Sequence, residues 1–250
     1  MSTDTLCQIR STICSIDSNA FIYEKIHTFH SFDLDKVHFV VFSTEFYFYT
    51  NYGWDQIQNQ WNWLVSDLQK ANANRASVPW LITLGHRPMY CSDYDGDDCT
   101  KYESIVRTGL PIVHAYGLEK LFFEYGVDLE LWAHEHTYER MWPVYNRTVF
   151  NGTTSAYVNP PAPVHVVSGS AGCRENTDVF MEHPGPWSAR RSTDYGFGRM
   201  RIHNATHLHF WQVSAIKVTT FQRMYGEDLR FSPTITSAFT RPQFLRNSTS

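Results

Sequence analysis

The sequence predicts an α/β layered domain, and three observations carry that prediction. Short apolar runs without polar alternation recur through the first half of the chain, as strands buried on both faces require. Amphipathic stretches with helical spacing separate them, the order expected where crossovers link neighbouring strands of one sheet. Beyond residue 163 the pattern turns to strands alone.

Taken in order, residues 37–43 (Val-His-Phe-Val-Val-Phe-Ser) are the first buried-strand run. Trp54, Ile57, Trp61, Leu64 and Leu68 follow at spacings of 3, 4, 3 and 4, which places an amphipathic helix over 53–73. Residues 80–84, just after a proline, read as a second strand. A weak helix over 102–107 and a stronger one over 114–125, stopped by Gly126, lead into a third strand at 128–133. A Pro- and Asn-rich loop is expected over 140–163, and a strand over 164–168. Residues 199–203 and 206–213 read as a hairpin turning at Asn204-Ala205. Residues 1–28 and 217–250 show no clear periodicity and are expected to pack poorly.

Composition narrows the function classes. A chain of 250 residues is long enough for one domain with a sizeable core. The 25 acidic against 21 basic residues give a net charge of −4, which argues against a nucleic-acid partner. No apolar run approaches the roughly 18 residues of a membrane helix, so no membrane span is expected. Charged residues are 18% and aromatics 16%, which excludes disordered, collagen-like and coiled-coil readings.

Five cysteines are present: Cys7, Cys14, Cys91, Cys99 and Cys173. Cys91 and Cys99 bracket a polar loop that a disulfide could close. Sequons start at Asn146, Asn151, Asn204 and Asn247, as suits glycosylated loops of a secreted protein. Residues 1–17 have no apolar core segment and do not read as a signal peptide.

Two constellations follow strand ends, where open α/β folds place their sites. Leu84-Gly85-His86-Arg87-Pro88 ends the second strand, and Ala133-His134-Glu135-His136 ends the third. One histidine at a strand end is ordinarily polar filler. Three at two adjacent strand ends point to a metal, because neutral imidazole suits zinc and iron. The acidic run from Asp93 to Asp98 does not match a calcium loop: Gly96 falls at position 4 instead of 6, and no Glu follows at position 12. It reads as a solvated acidic loop. His207 and His209 read as a hairpin surface. Glu139 and Arg140 either order the histidine loop or form a surface ion pair. No G-x-S-x-G elbow supports a serine hydrolase, and no side chain is assigned as catalytic.

Residues 80–92 (WLITLGHRPMYCS) and 127–140 (VDLELWAHEHTYER) resemble the last two signature blocks of purple acid phosphatases, in the animal type 7 branch. Ser43-Thr44-Glu45, residues 164–173 and Tyr195-Gly196-Phe197-Gly198 fit the same branch, so the resemblance runs from about residue 29 to 213. It implies a metallophosphoesterase-type β-sandwich with flanking helices, and hydrolysis of small-molecule phosphate monoesters at acid pH by iron with zinc or another divalent metal. By the same resemblance His86 and His134 bind the divalent metal and His136 the ferric one, and the protein is secreted or lysosomal. Ala133 stands where many relatives have Gly. The family's GDxG, GDxxY and GNH blocks, which carry its carboxylate, tyrosinate and asparagine ligands, have no counterpart in these residues. The chain is therefore read as a non-family segment 1–28, the carboxyl-terminal portion of a metallophosphoesterase domain over 29–216, and a divergent tail 217–250 without expected order. Two alternatives stand beside the truncated phosphatase: an inactive secreted glycoprotein of the same fold, and a mononuclear zinc-binding domain.

Overall fold

The computed structural model describes residues 28–152 and 155–217, and the backbone of 235–240. Cys7, Cys14 and Asn247 lie outside the described residues.

Four parallel strands form the centre of a seven-stranded sheet: β2 (Val37–Val41), β3 (Trp80–Leu84), β4 (Leu129–Trp132) and β8 (Val164–Ser168). The flanking strands each pair antiparallel with their neighbours. β1 (His30–Leu34) pairs with β2, and β5 (Tyr138–Met141) with β8 and β9 (Ser188–Ser192). The order is β1-β2-β3-β4-β8-β5-β9. Because side chains alternate across a strand, each central strand feeds two cores. Leu81, Trp132 and Val167 face one, with α1 (Asp55–Ala73) and α3 (Leu118–Glu124); Ile82, Leu129 and Val166 face the other. There Met200, Leu208 and Phe210 pack from a second sheet of β10 (Gly196–Ile202), β11 (His207–Ser214) and β12 (Ile235–Thr240). The result is a layered sandwich with helices on one outer face, as expected.

The strands over 80–84 and 164–168 fall where the sequence places them, and the remaining differences have local causes. The helix expected from residue 114 starts at Leu118, since His114 and Tyr116 have φ of 49° and 65°. Residues 109–116 instead close on themselves through Leu110 N–H to Ala115 O. The helix expected over 102–107 is the short α2 (Ile105–Thr108), capped by Ser104. The expected loop over 140–163 contains a hairpin, β6 (Val144–Tyr145) and β7 (Thr148–Val149), turning through Asn146 and Arg147 in the left-handed conformation. Within the tail read as unpatterned, β12 is a strand paired to β11.

Candidate metal centre

The parallel strands deliver the two histidine motifs side by side. The ladder continues past the strands, with Gly85 N–H donating to Leu131 O and Ala133 N–H to His86 O, each at 3.0 Å. A side chain at Gly85 would collide with Trp132, so the glycine lets the β3 end approach β4 closely. His134 has φ of 64°, a strained choice for a non-glycine residue that aims its ring back at β3. The two rings meet edge to face with centroids 4.8 Å apart, and His134 Nδ1 lies 3.0 Å from His86 Nε2.

The loop after β3 adds a carboxylate. Cys91 and Cys99 form a disulfide with Cα atoms 5.2 Å apart, so the loop closes as expected. Asp97 Oδ2 is 2.5 Å from His134 Nε2, and its Oδ1 accepts the Asp98 N–H at 2.9 Å. Arg87 spans the group: its Nε donates to Glu45 Oε1 at 2.9 Å, while Nη1 stands 3.3 Å from Asp97 Oδ2 and 2.9 Å from His134 Nε2. Burial works against ionisation of Asp97, yet the Asp98 amide, His134 and Arg87 hold its carboxyl below the usual range. A carboxylate so close assigns the His134 proton to Nε2 and leaves the Nδ1 lone pair facing His86. Burial first, then His134, Arg87 and His136, hold His86 down to about 4, so its ring is neutral near pH 7.

These atoms suit a metal. Two ring nitrogens bound to one zinc at 2.0–2.1 Å stand roughly 3–3.4 Å apart, close to the separation of the facing pair. Metal-bound histidines typically pass their other N–H to a carboxylate, as His134 does to Asp97. His86 Nδ1 is buried without a hydrogen-bond partner. His136 is placed differently. It is near enough to act on His86, and its backbone N–H donates to Asp178 Oδ2. Among the described residues, however, the group of metal-capable atoms within 4.8 Å that includes His134 consists of Asp97, His134 and Glu135.

The Asp93–Asp98 run is not the solvated loop its polarity suggests. Asp93 and Asp98 are buried, and Asp98 caps α2 by accepting from Ser104 Oγ and Ile105 N–H. Glu139 is also buried, accepting from Ser92 Oγ at 2.7 Å, which makes it a tie between the histidine loop and the disulfide loop, not a surface ion pair. Glu135 is pushed up to about 10 and Asp93 to about 7, both first by burial. For Glu135, contact with Asp95 and the charges of Asp95, Asp93 and Asp97 add to it. His207 and His209 lie on β11 in the second sheet, and His209 stacks with His203 and Trp211. Asn146, Asn151 and Asn204 are exposed. Asp97 and Asp93 were not legible as site residues; the available signal was acidic residues inside a cysteine-bracketed loop directly after His-Arg-Pro, whereas Glu45 is legible only as part of Ser43-Thr44-Glu45.

Comparison with known proteins agrees with the fold. The family model described as Calcineurin-like phosphoesterase matches residues 11–138, and that described as Iron/zinc purple acid phosphatase-like protein C matches residues 162–221. Acid phosphatase type 7 of Homo sapiens is 58% identical over 186 residues, 74% of this chain and 42% of that protein. Its counterpart in Danio rerio is 57% identical over 191 residues, 74% of this chain and 43% of that protein. The solved purple acid phosphatase PPD1 of yellow lupin, Lupinus luteus, superposes with a TM-score of 0.63 at 23% identity, covering 86% of this chain and 33% of that one. The chain thus spans about two fifths of the length of the curated relatives it matches.

Proposed function

The chain belongs to the purple acid phosphatase family of calcineurin-like phosphoesterases, and from that membership we propose that its site serves hydrolysis of small-molecule phosphate monoesters at a binuclear metal centre, to which this stretch contributes His86, His134 and His136. The facing imidazoles of His86 and His134, with Asp97 on the far nitrogen of His134, carry this reading. Metal ions bound there supply Lewis acidity toward the phosphoryl oxygens and a hydroxide near neutral pH. The chain's own residues do the rest. His86 stays neutral through burial and so keeps a lone pair free at mildly acid pH. Asp97 fixes the His134 tautomer. Arg87, anchored on Glu45, holds a positive charge beside the imidazoles where an anionic ester would dock.

Iron paired with zinc or another divalent ion is the metal set we propose, with secretion or lysosomal delivery and glycosylation at Asn146, Asn151 and Asn204. The exposure of these asparagines supports glycosylation, and the Cys91–Cys99 disulfide supports an oxidising compartment. A single-zinc domain on the facing nitrogens of His86 and His134 is the second reading, favoured because His136 joins no cluster of metal-capable atoms among the described residues.

Metal analysis and hydrolysis of a chromogenic phosphate ester at acid pH test both. Two ions with turnover select the binuclear enzyme, and one ion without turnover selects the single-zinc domain. In either case His86→Ala and His134→Ala are expected to weaken binding at least tenfold. A chain that binds no divalent metal, or binds it equally well in both variants, overturns the assignment.

A further inference from the structure

Three carboxylates meet at the histidine loop in a set that excludes the facing imidazoles of His86 and His134, although Glu135 also lies within reach of Asp97 and His134. One oxygen each from Asp93, Glu135 and Asp178 lies within 4.8 Å of the others. Separate segments bring them together. Residues 92–94 pair with 179–181 as a short antiparallel ribbon, through Tyr94 N–H to Val179 O at 2.7 Å and Met181 N–H to Ser92 O at 2.8 Å. Glu135 comes from the β4–β5 loop, whose backbone is turned tightly by Glu135 N–H to Ala133 O and Thr137 N–H to Glu135 O, each 2.8 Å.

The burial of Asp93 and Glu135 distinguishes this group from an ordinary acidic surface, while Asp178 is half-buried and accepts the His136 backbone N–H. Asp93 is 0% exposed and Glu135 1%. Neither carboxylate oxygen of Asp93 accepts a hydrogen bond, and Glu135 Oε2 accepts none either. The Thr137 hydroxyl lies beside Asp93 but is itself without a partner of normal geometry. Asp95 and Glu139 add negative character around Asp93. Arg87 is engaged by Glu45 and Asp97, and Arg191 donates to Met181 O and acts on Glu139. Burying a carboxylate without a partner is costly, and interiors avoid it with a cation, a proton or a donor.

We propose that Asp93, Glu135 and Asp178 hold a divalent cation of the calcium class, separate from the imidazole-bound metal. An all-oxygen, carboxylate-rich set selects hard cations over zinc. Calcium bonds of 2.3–2.6 Å give a coordination sphere up to about 5 Å across, so all three oxygens fit on it together. Discontinuous segments supply the ligands, which is why no loop signature marks the site. The ion ties the disulfide loop, the histidine loop and residues 178–181 into one unit.

The test is calcium titration of the metal-stripped full chain, by calorimetry and by thermal unfolding. One calcium per chain is expected, with a rise in Tm. Asp93→Asn and Asp178→Asn each weaken binding at least tenfold, while His134→Ala leaves it unchanged, so failure of the imidazole site is distinguishable. Saturation with zinc is expected to leave calcium binding in place. No calcium-dependent shift in Tm at millimolar calcium, or binding insensitive to Asp93→Asn and Asp178→Asn, overturns the proposal. Should Asp93→Asn raise Tm in a chain whose wild type ignores calcium, the cluster holds protons in place of a cation and the proposal fails equally.

Discussion

Asp97 Oδ2 and His134 Nε2 stand 2.5 Å apart, joining a disulfide-closed loop to a histidine 37 residues further along the chain. This contact decides which nitrogen of His134 is free. With its proton on Nε2, the ring offers Nδ1 to the same space as His86 Nε2. Without the carboxylate, Arg87 Nη1, 2.9 Å from the same Nε2, is left to donate to it and favours the other tautomer.

Asp97→Ala is therefore expected to weaken zinc binding by about 10–100-fold, the usual effect of losing a carboxylate behind a ligating imidazole. Asp97→Asn keeps an acceptor oxygen and should fall between. Nitrogen-15 shifts of the His134 ring in the metal-free chain give an independent readout. They should report the Nε2–H form in the wild type and a mixture in Asp97→Ala. Identical shifts and affinities in all three chains would sink the positioning role.

The disulfide should matter to both stability and site. By chain-entropy arithmetic, closing so short a loop contributes about 2–3 kcal/mol. Replacing Cys91 and Cys99 by Ser is expected to cost that much in urea unfolding and also to lower zinc affinity, because Asp97 loses its anchor. Loss of stability with unchanged affinity would show that the Asp97–His134 contact holds without the bridge.

The core strands and the paired histidines were legible because each obeys one local rule. A central parallel strand needs a continuous apolar run, and Trp80–Leu84 and Val164–Ser168 have one, with burial to match. Edge strands do not: His30–Leu34 is largely exposed and Ser188–Ser192 carries two arginines, so neither advertises a face. The contacts of Asp97 with His134 and of Asp93 with Glu135 and Asp178 are purely tertiary. The polarity of the 93–98 loop gave no sign that half its acids turn inward.

Stability should fall as pH rises above the unfolded value near 6.5, through His38. Its ring bridges Asp33 of β1 at 2.6 Å and Asp67 of α1 at 3.0 Å. Burial lowers the pKa of His38, but the two carboxylates outweigh it and the net shift is upward. A raised folded-state value means the stabilisation is fully present below the unfolded value near 6.5 and is lost as pH rises through the folded one. Urea unfolding at pH values on either side should show that loss in the wild type and a flatter profile in His38→Gln. An equally steep profile in the variant would remove His38 as the cause.

Gly169 offers the sharpest steric test of how the histidine loop is held. It follows β8 directly, and its N–H donates to Thr137 O at 3.0 Å, which seats the loop from Ala133 to Thr137 on the end of the strand. A Cβ there would lie 2.1 Å from the Glu135 carbonyl oxygen and 3.0 Å from its carbon. Both are backbone atoms, so relief requires moving the loop that carries His134 and His136. Gly169→Ala should therefore destabilise by about 1–3 kcal/mol, the usual range for overpacking, and should weaken zinc binding in the same chain. Gly152 is the matched control, since a Cβ there meets nothing within 4 Å, and its alanine variant should stay within about 0.5 kcal/mol of wild type. If the two variants unfold alike, the close seating of the histidine loop on β8 is not what holds it. If only stability falls while zinc affinity stays, the loop yields at Glu135 without disturbing His134, and the two halves of the site are mechanically separate.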